Sequence, residues 1–283
     1  MKRIVFLFSM MIMFLCWGQN IVDNRLNFRT AGSAYRLKGK ILQVNFFVSC
    51  PGYPVWTMDQ KNEIMELLPE GTGWLKKEAA RYGQPIDFKF KNYGYKTDII
   101  SNSTPHDVDN PFWQNDLIKQ LGYPSMMDFY NELKRNNDFD QVYVVFFINR
   151  EGVSYANLTD RDYVKENKDS FLETAILFNQ FEGKSLVGKG ERYTLPHEIL
   201  HLFGALDLYE GDDQSAYSED VAIQKIPNSI MLGSVRFLDE DEPQYELPEY
   251  KIDEFTAYFL SLHHEYKKWY KTLSNKCKTE NSE

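Results

Sequence analysis

The chain has 283 residues and a formal charge of −9, which excludes a general nucleic-acid binder because phosphate contact needs a basic face. Its 43% hydrophobic content suffices for a packed core in one large domain or two lobes sharing a cleft. With only 3 cysteines a disulfide-rich scaffold is also excluded.

The N-terminus has the order of a secretory signal: basic Lys2 and Arg3, an apolar run over 4–15, then Cys16-Trp17-Gly18. The run is too short to span a bilayer. Small side chains at Cys16 and Gly18 place the cut before Gln19, so residues 1–18 are the expected signal peptide. Lipidation at Cys16 is the alternative, but it needs a small residue where Leu15 stands. The expected location is secreted, periplasmic or at the cell surface, with no transmembrane helix and a monomeric state. Cys50 and Cys277 remain after cleavage and allow at most one bridge. A buried or bridged Cys50 is a better reading than a thiolate that blocks a metal.

Residues 19–40 read as a polar N-terminal extension, with order beginning near Ile41. Over 41–48, Val44, Phe46 and Val48 share one face, as a strand requires. Thr57 and Gln60 stand at capping-box spacing and open a helical stretch that Pro69 is expected to break or kink. A second helical segment carries Trp74, Leu75, Ala79 and Tyr82 and stops at Gly83. Ile86, Phe88 and Phe90 alternate as a strand, completing a crossover unit. The apolar run 142–148 predicts a central strand buried on both faces, with further strands at 153–156 and 174–178. Residues 208–250 show no clear period and are expected to be irregular. Phe255, Phe259, Leu262, Tyr266 and Trp269 form the stripe of a C-terminal amphipathic helix.

The chemistry concentrates at 197–207, His-Glu-Ile-Leu-His-Leu-Phe-Gly-Ala-Leu-Asp. Residues four apart on a helix share a face, so His197 and His201 can direct two imidazole nitrogens at one zinc ion. Glu198, beside the first ligand, is the candidate general base. Ile199, Leu200, Leu202 and Phe203 make the helix apolar and therefore buried, and buried histidines need partners. Gly204 can take positive φ, ending the helix and turning the chain back. Asp207 could then be the third ligand, leaving a fourth position for water. Glu210 and Glu219 are the alternative third ligands, and His106, His263 and His264 are weaker ones. The acidic runs Glu210, Asp212, Asp213, Glu219, Asp220 and Asp239, Glu240, Asp241, Glu242 read as solvated loops, with structural calcium as the alternative.

This eleven-residue run resembles the extended zinc signature of the metzincin metallopeptidases, in the variant with aspartate as third ligand that snapalysin-type neutral proteases carry. Asn228-Ser229-Ile230-Met231 is similar to the methionine turn of that clan, with Met231 as the methionine that lies beneath the metal. The resemblance implies an α+β, metzincin-like zincin fold. Its upper lobe, about 41–204, would hold a twisted mixed sheet, a backing helix and the active-site helix. An irregular lower lobe, about 205–275, would lie below a horizontal cleft and end in a helix, leaving 276–283 as a tail. It also implies a zinc endopeptidase acting on protein or peptide. Several metzincins have a tyrosine two residues after the turn methionine, where this chain has Gly233, so no residue is named for the oxyanion. Two other classes stay open: a surface-binding protein that keeps the fold without cleaving, and a zinc hydrolase of a non-peptide amide.

Overall fold

In the computed structural model the described residues are 32–102, 113–157, 171–181, 184–185, 193–211, 214–237 and 249–274. The signal segment 1–18, Cys16, His106, Cys277, the acidic run 239–242, Asp212, Asp213, and the tail 276–283 lie outside them. Strands β1 (Gly39–Ser49), β2 (Ile86–Tyr93), β3 (Ile99–Ile100), β4 (Gln141–Glu151), β5 (Tyr155–Asn157), β6 (Thr174–Phe181) and β7 (Lys184–Ser185) form one mixed sheet. Its main order is β2-β1-β4-β6-β5, parallel except for β5, which runs antiparallel to β6; short β3 and β7 add to β1 and β6. The architecture is thus α+β, as expected.

Helices cover both faces of this sheet. Helix α1 (Met58–Arg81) makes the crossover from β1 to β2 and packs Ile64, Leu68, Leu75 and Ala79 on the same core as Tyr143, Val145 and Phe147 of β4. Helices α2 (Trp113–Gln120) and α3 (Met126–Asn136) link β3 to β4 and bring Trp113, Leu117, Phe129 and Leu133 to a second core with Val142, Val144 and Phe146. The expected two-faced burial of 142–148 implies such a layer, but no helix was expected at 113–120 or 126–136. This second layer explains why β4 is buried on both faces, as its apolar run predicted.

Layering on both sides also buries polar positions of β1. Gln43 and Asn45 are fully buried, and a hydrogen-bonded row satisfies them: Tyr143 Oη donates to Gln43 at 2.7 Å, Gln43 to Asn45 at 2.7 Å, and Asn45 to Asn92 at 2.8 Å. Packing also starts before the expected order near Ile41. Ser33, Ala34 and Leu37 are buried, and the buried Glu173 carboxylate accepts from the Ala34 N–H at 2.8 Å.

Three expectations are corrected. Thr57 and Gln60 do form the capping box, but α1 continues through Pro69 to Arg81. Pro69 is exposed, so its ring meets solvent while buried residues on either side hold the helix. The region 208–250 contains α5 (Ala216–Lys225), capped by Ser215, and a 3₁₀ stretch over Ile230–Phe237 that is interrupted by a kink at Gly233. The helix α5 buries only Ser218 and Ala222, so it has no apolar stripe to read. The C-terminal stripe is not one helix: α6 (Glu254–Phe259) ends before α7 (Tyr270–Leu273) begins. Ser261 takes φ 60, and the pair Ser261 N–H to Tyr258 O and Leu262 N–H to Ala257 O closes α6 in a Schellman motif. The stripe's aromatics still meet, with Phe255 against Phe259, Trp269 and Tyr270.

The helix expected around 197–201 is α4 (Thr194–Leu202). It lies on α1 at Gly71, where a Cβ would stand 3.3 Å from Leu195 Cδ2 and 3.4 Å from Pro196 Cδ. Gly71→Ala should therefore stay close to wild-type stability, whereas Gly71→Ile should cost about 1–3 kcal/mol by overpacking. Urea denaturation of the two variants checks this; equal midpoints would contradict the close approach.

Candidate metal centre

Helix α4 is mostly apolar and buried, and its C-terminus is shaped by Gly204. The Gly204 N–H donates to His201 O at 2.7 Å and the Ala205 N–H to Leu200 O at 3.0 Å, the two bonds of a Schellman motif. This geometry needs the φ of 106 that Gly204 adopts. The motif turns the chain back on the helix and brings the Ala205 carbonyl to His201 Nδ1 at 2.9 Å. His197 Nδ1 is held in the same way by the Ile230 carbonyl at 3.0 Å. A carbonyl only accepts, so both Nδ1 atoms carry hydrogen and both Nε2 atoms point their lone pairs inward.

Those lone pairs meet Asp207. His197 Nε2 and His201 Nε2 are each 3.2 Å from Asp207 Oδ1 and 3.2 Å from each other. Among the described residues this is the group of three that could hold a metal ion. Asp207 Oδ1 is buried and has no well-formed hydrogen bond, although it lies near two ring nitrogens, each of which can donate to it only when its ring is protonated. A cation resolves the conflict. A tetrahedral ion with bonds of about 2.0–2.1 Å, the zinc range, has ligand edges of about 3.3–3.4 Å, and the observed triangle fits. The imidazoles are 7% and 12% exposed but the Asp207 side chain 27%, so the site opens to solvent on the aspartate side.

Surrounding contacts fix the loop that carries Asp207. Gln214, 1% exposed, donates through Nε2 to the Asp207 carbonyl at 3.0 Å and to Leu273 O at 2.9 Å. The next residue, Leu208, donates its N–H to Met231 O at 2.9 Å. The turn 228–231 thus touches both sides of the site, holding His197 through Ile230 and the aspartate loop through Met231. The Ser229 hydroxyl accepts from Met231 N at 3.1 Å and donates to Asp253 Oδ2 at 2.6 Å. Met231 itself is fully buried. Gly233 has φ 57, and a Cβ there would stand 3.0 Å from the Tyr209 ring, so the position expected to lack a tyrosine lies against Tyr209 instead.

The alternative ligands are placed elsewhere. The Glu219 carboxylate accepts from the Glu210 N–H, and neither residue belongs to the metal group. His263 stacks on Tyr82 and bonds Glu254 O at 2.7 Å, and His264 is exposed. Cys50 is a free, buried cysteine whose thiol burial pushes up to about 11, against a small opposing pull from Arg150. It is no thiolate blocking the site. Gln214 and Asp253 have no role in the expectations above, and Ser229 has one only as part of the 228–231 turn. Asp253 was findable as the N-cap of α6, whereas Gln214 is one glutamine in a loop with no pattern around it.

Glu198 is 6% exposed. Burial raises its carboxyl above the usual range, while His197 and His201 pull it down and Asp207 raises it further. Burial works to lower His201, but the Asp207 and Glu198 carboxylates overcome it and push the ring from 6.5 up to about 9. Burial also works to raise Asp207, but both imidazoles hold it well below the carboxylate range. No protein-family model matches the chain, and no curated protein matches it in sequence.

The raised His201 pKa gives the metal-free fold stability that is fully present below about 6.5 and lost as pH rises through about 9. A metal ligand must be neutral, so metal uptake expels that proton. Apparent metal affinity should rise about tenfold per pH unit between pH 6.5 and about 9 and then level off. Chelator competition at several pH values measures this, and a flat profile across the window would contradict the assignment.

Proposed function

We propose that the chain is an exported zinc endopeptidase of metzincin type, with His197, His201 and Asp207 as ligands and Glu198 as general base. The observation that carries this reading is the 3.2 Å triangle of two inward-facing Nε2 atoms and one buried, orphaned carboxylate oxygen. When bound there, zinc supplies a Lewis acid that polarises a carbonyl and acidifies a water. Glu198 takes a proton from the attacking water and returns it to the leaving amine. Its burial suits both halves of that task, because a carboxylate in ordinary water is too weak a base.

A peptide substrate is favoured by the sheet. Among the described residues β5 ends the strand order, and it packs directly against α4. An extended chain can hydrogen-bond to such an edge as an added strand, with its scissile bond brought to the metal. Export rests on the signal-like order of residues 1–18, and among the described residues no helix is long and apolar enough to cross a membrane.

Glu198→Gln should retain one zinc per chain while lowering kcat/KM on casein or a peptide library by about a thousandfold. Metal analysis and the cleavage assay on both forms check it. Undiminished cleavage by the variant would end the general-base role; zinc binding with no cleavage by the wild type would favour a binding protein built on the same site.

A further inference from the structure

Glu78 is a buried carboxylate, 1% exposed, that the proposed chemistry does not use. A buried carboxylate is costly unless it is paired and hydrogen-bonded; here Oε2 is hydrogen-bonded, while Oε1 has a nearby charge but no hydrogen bond. Arg81 pairs with Oε2, the Ile252 N–H donates to the same oxygen at 3.0 Å, and Lys251 Nζ lies 3.6 Å from Oε1. Glu78 is one of three residues spaced four apart along α1 and its C-cap. Trp74 donates its indole N–H to Tyr250 O at 3.3 Å, and the Tyr82 hydroxyl donates to Ile252 O at 2.9 Å.

This stripe holds the backbone of Tyr250 and Ile252, which leaves the backbone of Lys251 between them to face the turn. The Lys251 N–H donates to Asn228 O at 2.8 Å, and its carbonyl accepts from the Ile230 N–H at 3.1 Å. The carbonyl of Ile230 is the one that fixes His197 Nδ1. A continuous line of hydrogen bonds therefore runs from Glu78 on the backing helix, through 250–252 and the turn, to the first histidine.

We propose that Glu78 is a positioning residue for the metal centre, orienting the His197 ring through the Tyr250–Ile252 segment; this rests on reading the triad as a zinc site. Partners behind a ligating histidine typically tune metal affinity ten- to a hundredfold, and the carbonyl of Ile230 is such a partner.

The test measures zinc affinity by chelator competition on the full chain, together with the visible spectrum of the cobalt-substituted protein, well below the melting temperature. Glu78→Ala should weaken zinc by about tenfold or more and shift the cobalt bands, whereas Glu78→Gln, whose amide oxygen still accepts from Ile252, should stay within about threefold. Tyr82→Phe, which removes only the hydroxyl bonded to Ile252, should weaken zinc in the same direction and decides the matter if Glu78→Ala does not fold. Folded variants with a lower melting temperature but unchanged affinity and spectrum would overturn the inference and leave the zinc site standing. A wild-type chain that binds no zinc would remove both.

Discussion

The structure turns on a local electrostatic conflict. Two imidazoles whose Nδ1 hydrogens are committed to backbone carbonyls present bare nitrogens to one carboxylate oxygen, with all three atoms 3.2 Å apart. Three lone pairs crowded in a mostly buried place repel one another. A proton shared among them relieves part of that repulsion, as the upward push on His201 shows, and a divalent ion relieves all of it. The same atoms with either ring turned over would bury a donor against the wrong partner.

Holding that conflict in place is the work of backbone contacts more than of side chains. The Schellman turn at Gly204 supplies one carbonyl and the turn 228–231 supplies the other. The second turn also fixes the aspartate loop through Leu208. Each piece is itself tied to something rigid: the loop to the last helix through Gln214, and the turn to Asp253 at the start of α6. The two histidines on one helix and the aspartate on one loop thereby share a frame set by the sheet and α1, which is what a preorganised site requires.

Much of this was legible because it is written in short range. Residues 197–207 specify their own helix, its two facing histidines and its glycine stop, and α4 ends as that glycine dictates. The capping box at Thr57 and the two-faced burial of β4 were equally local signals. What escaped depends on partners distant in sequence. The burial of polar Gln43 and Asn45 depends on α1 and the strands beside β1, which enclose them. The break at Ser261 had no glycine to announce it, since a serine adopts the left-handed conformation there. Helix α5 hides because it buries almost no apolar surface, and a period search finds only helices with a stripe. The candidate triad of His197, His201 and Asp207 was readable as types and spacing; its distances, and the carbonyls that aim its rings, come only from the folded chain.

The most direct test is a crystal structure of the zinc-loaded protein with the metal located by anomalous scattering at its absorption edge. The account predicts one strong peak about 2.0–2.1 Å from His197 Nε2, His201 Nε2 and an Asp207 oxygen, with the fourth direction open to solvent. A peak coordinated by other residues, or rings rotated so that Nδ1 faces the centre, would contradict it.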